Sequence, residues 1–521
     1  MSLRRRTVLA SLGAAGVLGA APSWAGAHQP ATIPGLRQWT PRRGDFLLAR
    51  GCAVVIDRRD AERLLDDATL LAAGLAALSG SRVPVRVGDA LRAGEVGLRL
   101  RARDPVLGSE GYRLGIGDRV MIAANQAAGA YYGGRTLLQL AAQGRRVSGG
   151  AGRDWPRYPE RGLMVDIGRK HLPAPWLEAR IHEMGWLKLN YLHLHFTEDL
   201  GWRIESEQRP RVHSDDHLTK AQVRRLVALA ARHHITVVPE IDMPGHFAAG
   251  LRNYPELQLT DPLGQRNPGK LDYTLPGARR FARDLVREYL PLFPGRYWHL
   301  GGDEFLTLPE YLRYPQLTAY GQARHGRGAT FHDGTIHFLN EMAALVKRHG
   351  RTPRAWADGI FGGAVARLDR DVVAEWWTDV NPLGDQTAQR SPQQVIDAGH
   401  PIMNCSFYPT YLAYRDPPFP AHPELASFYE TWRPHRFRGP AYLDGDVALP
   451  YTQISSRSPA NLGSKLHLWN DVPYLATAAE EAAAIAPRLR IMAEQTWSPP
   501  RTARTYATFS RRIAAVGDPP R

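Results

Sequence analysis

Two adjacent acids follow a pair of glycines at the end of an apolar run, in the segment His299–Glu304 (HLGGDE). Consecutive side chains of a regular strand point to opposite faces, so neighbouring acids share a pocket only where the strand bends or ends. Gly301 and Gly302 allow such a bend and a close approach to the backbone. Two carboxyl groups held together acquire different pKa values, because one charge disfavours the other. Asp303 and Glu304 are therefore candidates for general acid/base chemistry on a bond such as a glycoside. The structural alternative is a solvated turn.

The composition is that of a soluble globular protein with more than one domain. The chain has 521 residues, of which 44% are hydrophobic and 22% charged, and this length allows a substantial core. The 13 tryptophans and 20 tyrosines offer flat faces that suit sugar rings, although most of them are expected in the core. The formal net charge of +15 is spread along the chain, so we predict no nucleic-acid partner.

The first 27 residues have the pattern of an export signal. Arg4, Arg5 and Arg6 precede an uncharged apolar segment, and the segment 25–27 (AGA) offers a small-x-small cleavage site. The paired arginines favour the twin-arginine route, and an uncleaved membrane anchor is the alternative. We expect a periplasmic or secreted protein without stable membrane insertion after cleavage. No later apolar run is long enough to span a bilayer.

Neither cysteine nor histidine spacing predicts a metal centre. Cys52 and Cys405 are the only cysteines, and a bridge between them is an alternative to two free thiols. His193 and His195 alternate along one apolar run, which favours packing inside the core over metal binding. We therefore predict no metal and no cofactor.

The hydrophobic pattern changes near residue 150. Residues 28–150 mix short strands with helices at Ala61–Leu78 and Ala127–Leu140, which predicts a small α+β domain. Residues 151–521 alternate apolar strands with helices, which predicts a (β/α)₈ barrel, with a doubly wound open sheet as the alternative. The eight predicted strands are Gly162–Ile167, Leu189–Phe196, Thr236–Ile241, Tyr297–Gly301, Arg354–Ala357, Val372–Trp377, Pro401–Cys405 and Lys465–Trp469.

Unusual polar and aromatic residues follow these strands, at the end of a barrel where catalytic groups are expected. They are Arg169, Glu198, Asp199, Asp242, His246, Asp303, Glu304, Trp356, Asp358, Trp376, Trp377, Tyr411, Trp469 and Asp471.

With these motifs in this order, the chain resembles the family 20 glycoside hydrolases, the β-N-acetylhexosaminidases. The resemblance covers roughly residues 45 to 500. The matching segments are Gly162–Arg169 (GLMVDIGR), Asn190–His195 (NYLHLH), Val238–His246 (VPEIDMPGH), His299–Glu304 (HLGGDE) and, in the small domain, Ala127–Leu140 (AAGAYYGGRTLLQL).

The resemblance implies that the substrate's own 2-acetamido oxygen attacks the anomeric carbon, so that no carboxylate nucleophile is needed. It implies that Glu304 is the general acid and base, with its pKa kept high by burial and by Asp303. Asp303 and Tyr411 would hold the acetamido group. His246 and Glu198 would form a relay behind Glu304.

The resemblance also implies a glycan or chitooligosaccharide substrate, and it indicates which residues would bind the sugar. Arg169 matches the arginine on O3 and O4, and the remaining predicted binding residues are Asp199, Trp356, Trp376, Trp469 and Asp471, with Trp377 as the rival to Trp376.

Three positions depart from the family pattern. Asp-Asp becomes Glu198-Asp199, Tyr-Leu-Asp ends in Ala413, and Leu-Trp-x-Glu ends in Asp471. The last two normally grip O4 and O6 of the terminal sugar. We expect an exo-β-N-acetylhexosaminidase that releases N-acetylglucosamine or N-acetylgalactosamine. The alternatives are release of a disaccharide, as by the family's lacto-N-biosidases, and a non-catalytic carbohydrate-binding barrel.

Overall fold

A computed structural model of the chain describes residues 29–379, 389–415, 424–439, 451–497, 499 and 503–520. The predicted export signal, residues 1–27, lies outside these ranges. None of the helices in the described ranges combines the length and the apolarity that a bilayer crossing requires. Cys52 and Cys405 are both buried and free, so no disulfide joins them.

The N-terminal domain is a mixed β-sheet with two helices, α1 (Ala61–Ser79) and α2 (Ala127–Ala142), packed against it. The seven strands of the sheet run in the order β1-β9-β6-β7-β5-β3-β4. Strand β9 (Gly150–Asp154) begins at residue 150 and pairs with β6, so this domain extends at least to Asp154. The strands of the domain are β1 (Gln38–Pro41), β2 (Phe46–Leu47), β3 (Val54–Ile56), β4 (Val85–Val87), β5 (Val96–Arg99), β6 (Tyr112–Ile116), β7 (Val120–Ala124), β8 (Arg146–Val147) and β9 (Gly150–Asp154).

The second domain is a closed barrel of eight parallel strands. Every one of the eight predicted strands is present, and β10 pairs with β22 to close the sheet, which excludes the open doubly wound alternative. The barrel strands are β10 (Glu160–Asp166), β11 (Tyr191–His195), β12 (Thr236–Glu240), β15 (Tyr297–His299), β16 (Thr352–Trp356), β17 (Val373–Trp376), β18 (Ile402–Asn404) and β22 (Asn461–Trp469). The additional strands are β13 (Gln258–Thr260), β14 (Arg266–Leu271), β19 (Tyr411–Ala413), β20 (Arg436–Phe437) and β21 (Thr452–Gln453).

Helices surround the barrel and connect most of its strands. The helix after β11 begins at a capping box in which Thr219 and Gln222 satisfy each other's backbone N–H groups. Residues 357–372 connect β16 to β17 without an α-helix. The helices are α3 (Ala174–Trp186), α4 (Lys220–Arg232), α5 (Ala248–Leu251), α6 (Pro276–Tyr289), α7 (Leu308–Arg313), α8 (Pro315–His325), α9 (Phe331–Arg348), α10 (Pro392–Asp397), α11 (Phe407–Thr410), α12 (Leu425–Thr431), α13 (Ala478–Trp497) and α14 (Tyr506–Val516).

The interior of the barrel contains a buried network of charged and polar side chains. Glu240 is fully buried and contacts His193 at 3.0 Å, His195 at 2.5 Å and His299 at 2.8 Å. Buried polar groups cost free energy unless they are paired, and the Glu240 carboxylate pairs with all three rings. His193 and His195 therefore lie in the barrel core, as their alternation predicted.

Candidate active site

A pocket of about 240 Å³ opens at the carboxyl ends of the barrel strands. This is the end at which catalytic groups of a barrel are expected. Its walls bring together residues that are far apart in sequence: Arg169, His246, Asp303, Glu304, Trp377, Phe407, Tyr411, Ala413, Arg415, Trp469 and Asp471.

The bend after β15 turns both acids into this pocket. Gly301 has φ +74°, and a Cβ atom there would lie 1.6 Å from Oδ1 of Asp242, so only glycine fits. Gly302 donates its N–H to the same oxygen at 3.0 Å. Glu304 itself has φ +43°, a region that side chains with a Cβ atom rarely adopt. Such strain is concentrated at functional sites, where the surrounding structure enforces it.

His246 contacts both acids of the pair. Its Nε2 atom lies 3.3 Å from Oε2 of Glu304 and 3.7 Å from Oδ2 of Asp303. Its Nδ1 atom lies 2.9 Å from Oε1 of Glu198. His246 also has a positive φ, +48°. The side chains of Asp303 and Glu304 therefore face one cavity, across which one imidazole reaches both.

Glu198 also anchors Arg169. The guanidinium of Arg169 contacts Glu198 at 2.5 Å and Asp166 at 2.9 Å, and its Nη1 lies 3.7 Å from Asp471. Burial raises the pKa of Glu198, but the positive charges of His246 and Arg169 outweigh it and hold that pKa well below the usual range. Glu198 is therefore an anion that orients two cationic residues of the site.

The pKa values of the two adjacent acids move in opposite directions. Burial and the neighbouring charge of Asp242 raise the pKa of Asp303 well above its ordinary value. Burial also raises the pKa of Glu304, but its hydrogen bond with His246 and the charge of that ring outweigh burial and lower it. The expected rise of the Glu304 pKa is therefore wrong for the free pocket, because the His246 ring lies 3.3 Å from its carboxylate.

His246 is an imidazolium in the free pocket. Burial lowers its pKa, but the charges of Glu198 and Asp303 raise it well above its ordinary value. Behind Asp303, burial raises the pKa of Asp242 to about 7. The oxygens of Asp242 and Asp303 lie within 4.8 Å of each other, so each buried carboxyl disfavours the ionisation of the other.

Aromatic rings form one side of the pocket. The ring of Tyr411 is stacked with that of Trp377, with centroids 6.3 Å apart, and lies 5.7 Å from that of Trp469. Trp356 lies below this wall, 1% exposed, with its Nε1 donating to Glu240 at 2.7 Å.

The structure corrects the prediction for Trp376. Its side chain points away from the pocket, donates from Nε1 to the Arg390 carbonyl at 2.9 Å, and packs on Phe437. Trp377 lines the pocket instead and donates to Asp358 at 2.9 Å. Neighbouring residues of an extended segment face opposite sides, so only one of the two can form the wall.

Asp199 also lies apart from the pocket. Its side chain is exposed, and its Oδ1 accepts a hydrogen bond from the Ala248 N–H at 3.0 Å, at the start of α5. The prediction that Asp199 binds substrate is therefore corrected: Glu198 points inward, and Asp199 helps to hold the loop that carries His246.

Sequence reasoning missed Arg415 and Phe407. Nε of Arg415 lies 2.9 Å from Asp471, and its side chain lines the pocket. A signal existed, because Tyr411, Ala413 and Arg415 follow the period of two that puts side chains on one face of a strand. No comparable pattern marks Phe407, which packs on Tyr411 with centroids 4.9 Å apart.

Two profiles of one family match the chain. "Glycosyl hydrolase family 20, catalytic domain" matches residues 158–500, and "Glycosyl hydrolase family 20, domain 2" matches residues 29–155.

Curated relatives are similar along most of the chain. The chain is 30% identical to a β-N-acetylhexosaminidase of Cellulomonas fimi over 503 residues, which cover 90% of each protein. It is 29% identical to a lacto-N-biosidase of Bifidobacterium bifidum over 496 residues, 94% of this chain. The chain spans only 42% of the length of that relative.

Solved structures with the same architecture include two from Streptomyces. A family 20 β-N-acetylhexosaminidase of Streptomyces coelicolor superposes with a TM-score of 0.71 at 26% identity, over 94% of this chain and 95% of the other. A mutant β-hexosaminidase of Streptomyces plicatus, in complex with its product GlcNAc, gives 0.71 at 27% identity over 94% of each chain.

Proposed function

The chain belongs to glycosyl hydrolase family 20, and from that premise we propose that it is a retaining exo-β-N-acetylhexosaminidase. It would release terminal β-linked N-acetylglucosamine or N-acetylgalactosamine from glycans or chitooligosaccharides. The observation that carries the proposal is the contact of one imidazole, His246, with both Asp303 and Glu304 in a pocket that also contains Tyr411. At about 240 Å³ the pocket is smaller than the roughly 300–1,000 Å³ of sites for drug-sized ligands, which favours a single sugar.

The proposed reaction is assisted by the substrate. The acetamido oxygen attacks the anomeric carbon while the glycosidic bond breaks, and positive charge spreads onto the acetamido nitrogen. Asp303 accepts the N–H hydrogen bond and stabilises that charge, and the Tyr411 hydroxyl holds the acetamido oxygen. Asp303 must be ionised for this role, and the positive charge that develops on the acetamido nitrogen favours its ionised form. An aligned internal nucleophile supplies an effective molarity of about 10⁵–10⁸ M.

Glu304 gives a proton to the leaving oxygen and later takes one from the attacking water. In the free pocket the pKa of Glu304 is lowered by His246. We propose that the entering sugar displaces water and raises this pKa, because desolvation disfavours the carboxylate. The proton then passes from Nε2 of His246 to Oε2 of Glu304, atoms that lie 3.3 Å apart.

The remaining pocket residues would orient the sugar ring. Arg169, fixed by Glu198 and Asp166, offers donors to O3 and O4. Trp469, with the Arg169 guanidinium 5.4 Å from its ring centroid, offers an apolar face to the ring.

The test is the release of chromophore from an aryl N-acetyl-β-glucosaminide by wild type and by Glu304→Gln. We expect the variant to lose about 10²–10⁴-fold in kcat while it still binds GlcNAc. Glu256→Gln, at an exposed position, is the matched control. Unchanged turnover of Glu304→Gln would refute the assignment, and an inactive wild type that binds GlcNAc would favour the carbohydrate-binding alternative.

A second function, release of a disaccharide, is favoured by the similarity to the lacto-N-biosidase of Bifidobacterium bifidum and by Ala413. An alanine at this position leaves room beside O4 and O6. Parallel assays with an aryl lacto-N-bioside and the aryl monosaccharide separate the two functions. Much faster cleavage of the disaccharide would replace the main proposal.

We also propose export to the periplasm or the exterior, from the arginines and apolar segment of residues 1–27. N-terminal sequencing of the mature protein tests this, with a start at His28 as the expected result. An intact N-terminus in the cytoplasmic fraction would contradict it.

A further inference from the structure

A cavity of about 640 Å³ lies between the N-terminal domain and the outer surface of the barrel, separate from the active-site pocket. Helix α1 contributes Leu70, Ala73 and Ala77, and Trp186 on α3 adds another apolar surface. Pro519 and Pro520, near the C-terminus, contribute a further side. The cavity is large enough for a small organic molecule.

An arginine without a counter-charge lines this cavity. Arg135 on α2 is 8% exposed, and its Nε and Nη2 atoms are buried without a hydrogen-bond acceptor. No carboxylate of the described residues forms an ion pair with it. Its guanidinium carbon lies 4.6 Å from the centroid of the Tyr131 ring, an uncharged partner. Buried charges in proteins are normally paired with an opposite charge. Among the described residues, this guanidinium has no such partner.

One ring nitrogen of a histidine on the same cavity also lacks a hydrogen-bond partner. His233 is 4% exposed, and its Nδ1 lies 2.7 Å from the Tyr131 hydroxyl. With that hydroxyl donating to Nδ1, the proton of the neutral ring is on Nε2, which has no acceptor. Buried polar atoms without partners are rare in proteins and often mark a bound water or ion.

The acids that line the cavity are engaged elsewhere. Glu183 contacts Arg490 at 2.9 Å and Arg180 at 3.1 Å. Asp518 contacts Arg490 at 2.6 Å. Neither forms an ion pair with Arg135, so the Arg135 guanidinium on this cavity has no anionic partner among the described residues.

We propose that this cavity binds a small anion through a carboxylate or phosphate group held by Arg135 and His233. Charge-assisted hydrogen bonds from a guanidinium to such groups are strong and directional. The apolar surfaces of Leu70, Ala73 and Trp186 would contact the rest of an organic ligand. The site is distinct from the glycosidase pocket and does not depend on the proposed function.

Thermal unfolding of the full chain tests the proposal. Inorganic phosphate, compared with chloride at equal ionic strength, is expected to raise Tm in a saturable way by about 1–3 °C. Hexanoate, compared with hexanol, tests a carboxylate that carries an apolar chain. A larger shift with hexanoate identifies an organic carboxylate, and a larger shift with phosphate identifies a phosphate group. No saturable shift with either anion would overturn the proposal.

Arg135→Met preserves the apolar stem and removes the charge. The variant should lose the anion-dependent shift and keep the wild-type kcat. In chloride it should be at least as stable as wild type, because an uncompensated buried charge is gone. Arg82→Met, at an exposed position, should keep the shift. A full shift in Arg135→Met would overturn the proposal. If that variant does not fold, His233→Phe replaces it and should weaken anion binding several-fold; unchanged binding there would also overturn the proposal.

Discussion

His246 lies 3.3 Å from Glu304 through Nε2, while its other ring nitrogen lies 2.9 Å from Glu198. The ring is therefore held between two carboxylates, and the charge of Glu198 favours its protonated form. In the free pocket the raised pKa of His246 and the lowered pKa of Glu304 favour a proton on His246, and in the proposed mechanism that proton moves to Glu304 when the sugar binds.

Replacing His246 should alter both the rate and its pH dependence. In His246→Gln the imidazolium is gone, so burial dominates and the pKa of Glu304 rises. We expect kcat to fall by about 10–100-fold, because proton transfer by a positioned group contributes of that order or more. The limb of the kcat/KM profile that reports Glu304 should shift to higher pH. A lower rate with an unchanged profile would contradict the relay.

Glu198→Gln provides the matching experiment, because it removes the charge that holds His246 protonated. The two substitutions act on one network, so the double variant should lose much less activity than the product of the two single losses. Independent losses that multiply would show that Glu198 acts elsewhere.

Asp242→Asn should make the stability less dependent on pH. The folded-state pKa of Asp242 is raised from 3.8 to about 7, so its contribution to stability is complete below about 3.8 and is lost as the pH rises through 7. Asparagine mimics the protonated acid and can donate to Asp303. We expect a smaller decrease in Tm between about pH 5 and pH 8 than in wild type. Asp89→Asn, at an exposed position, should keep the wild-type slope, and parallel curves for Asp242→Asn and wild type would refute the raised pKa of Asp242.

Ala413→Asp should restore a carboxylate to the pocket wall beside Arg415. If O4 and O6 of one sugar occupy this place, kcat/KM for the aryl N-acetylglucosaminide should rise by about tenfold, the value of one hydrogen bond to a charged group. Ala413→Asn matches the size without the charge and should give a smaller gain. A loss of disaccharide cleavage without a gain for the monosaccharide would favour the lacto-N-biosidase alternative.

Trp377 and Trp376 should respond differently to replacement by phenylalanine. Trp377→Phe removes a pocket wall and its hydrogen bond to Asp358, so kcat/KM should fall by about tenfold with little change in Tm. Trp376→Phe leaves a partial cavity in the core, so the free energy of unfolding should fall by about 1–3 kcal/mol while KM stays near wild type. Steady-state kinetics and thermal unfolding of both variants test this prediction. A loss of activity in Trp376→Phe and a loss of stability in Trp377→Phe would contradict the assignment of Trp377 to the pocket wall.

Hydrophobic periodicity predicted the eight barrel strands within a few residues, because each buried strand is a short apolar run bounded by polar residues. The same reasoning located α1 and α2. It missed the extension of the first domain through β9, because the segment Gly150–Asp154 (GAGRD) has no apolar pattern and is held by pairing with β1 and β6.

The amino-acid sequence by itself determined the order of the strands and which residues follow each of them. Together with the family resemblance, this marked Asp303, Glu304, His246, Glu198, Arg169, Tyr411, Trp469 and Asp471 as candidate site residues. Only the tertiary structure decided which of two neighbours faces inward, as for Trp377 over Trp376 and Glu198 over Asp199. It also decided the charges, because the pKa of Glu304 depends on an imidazole 58 positions away in the chain. Side-chain direction at a strand end and electrostatic coupling both arise from distances in space, which sequence spacing does not specify.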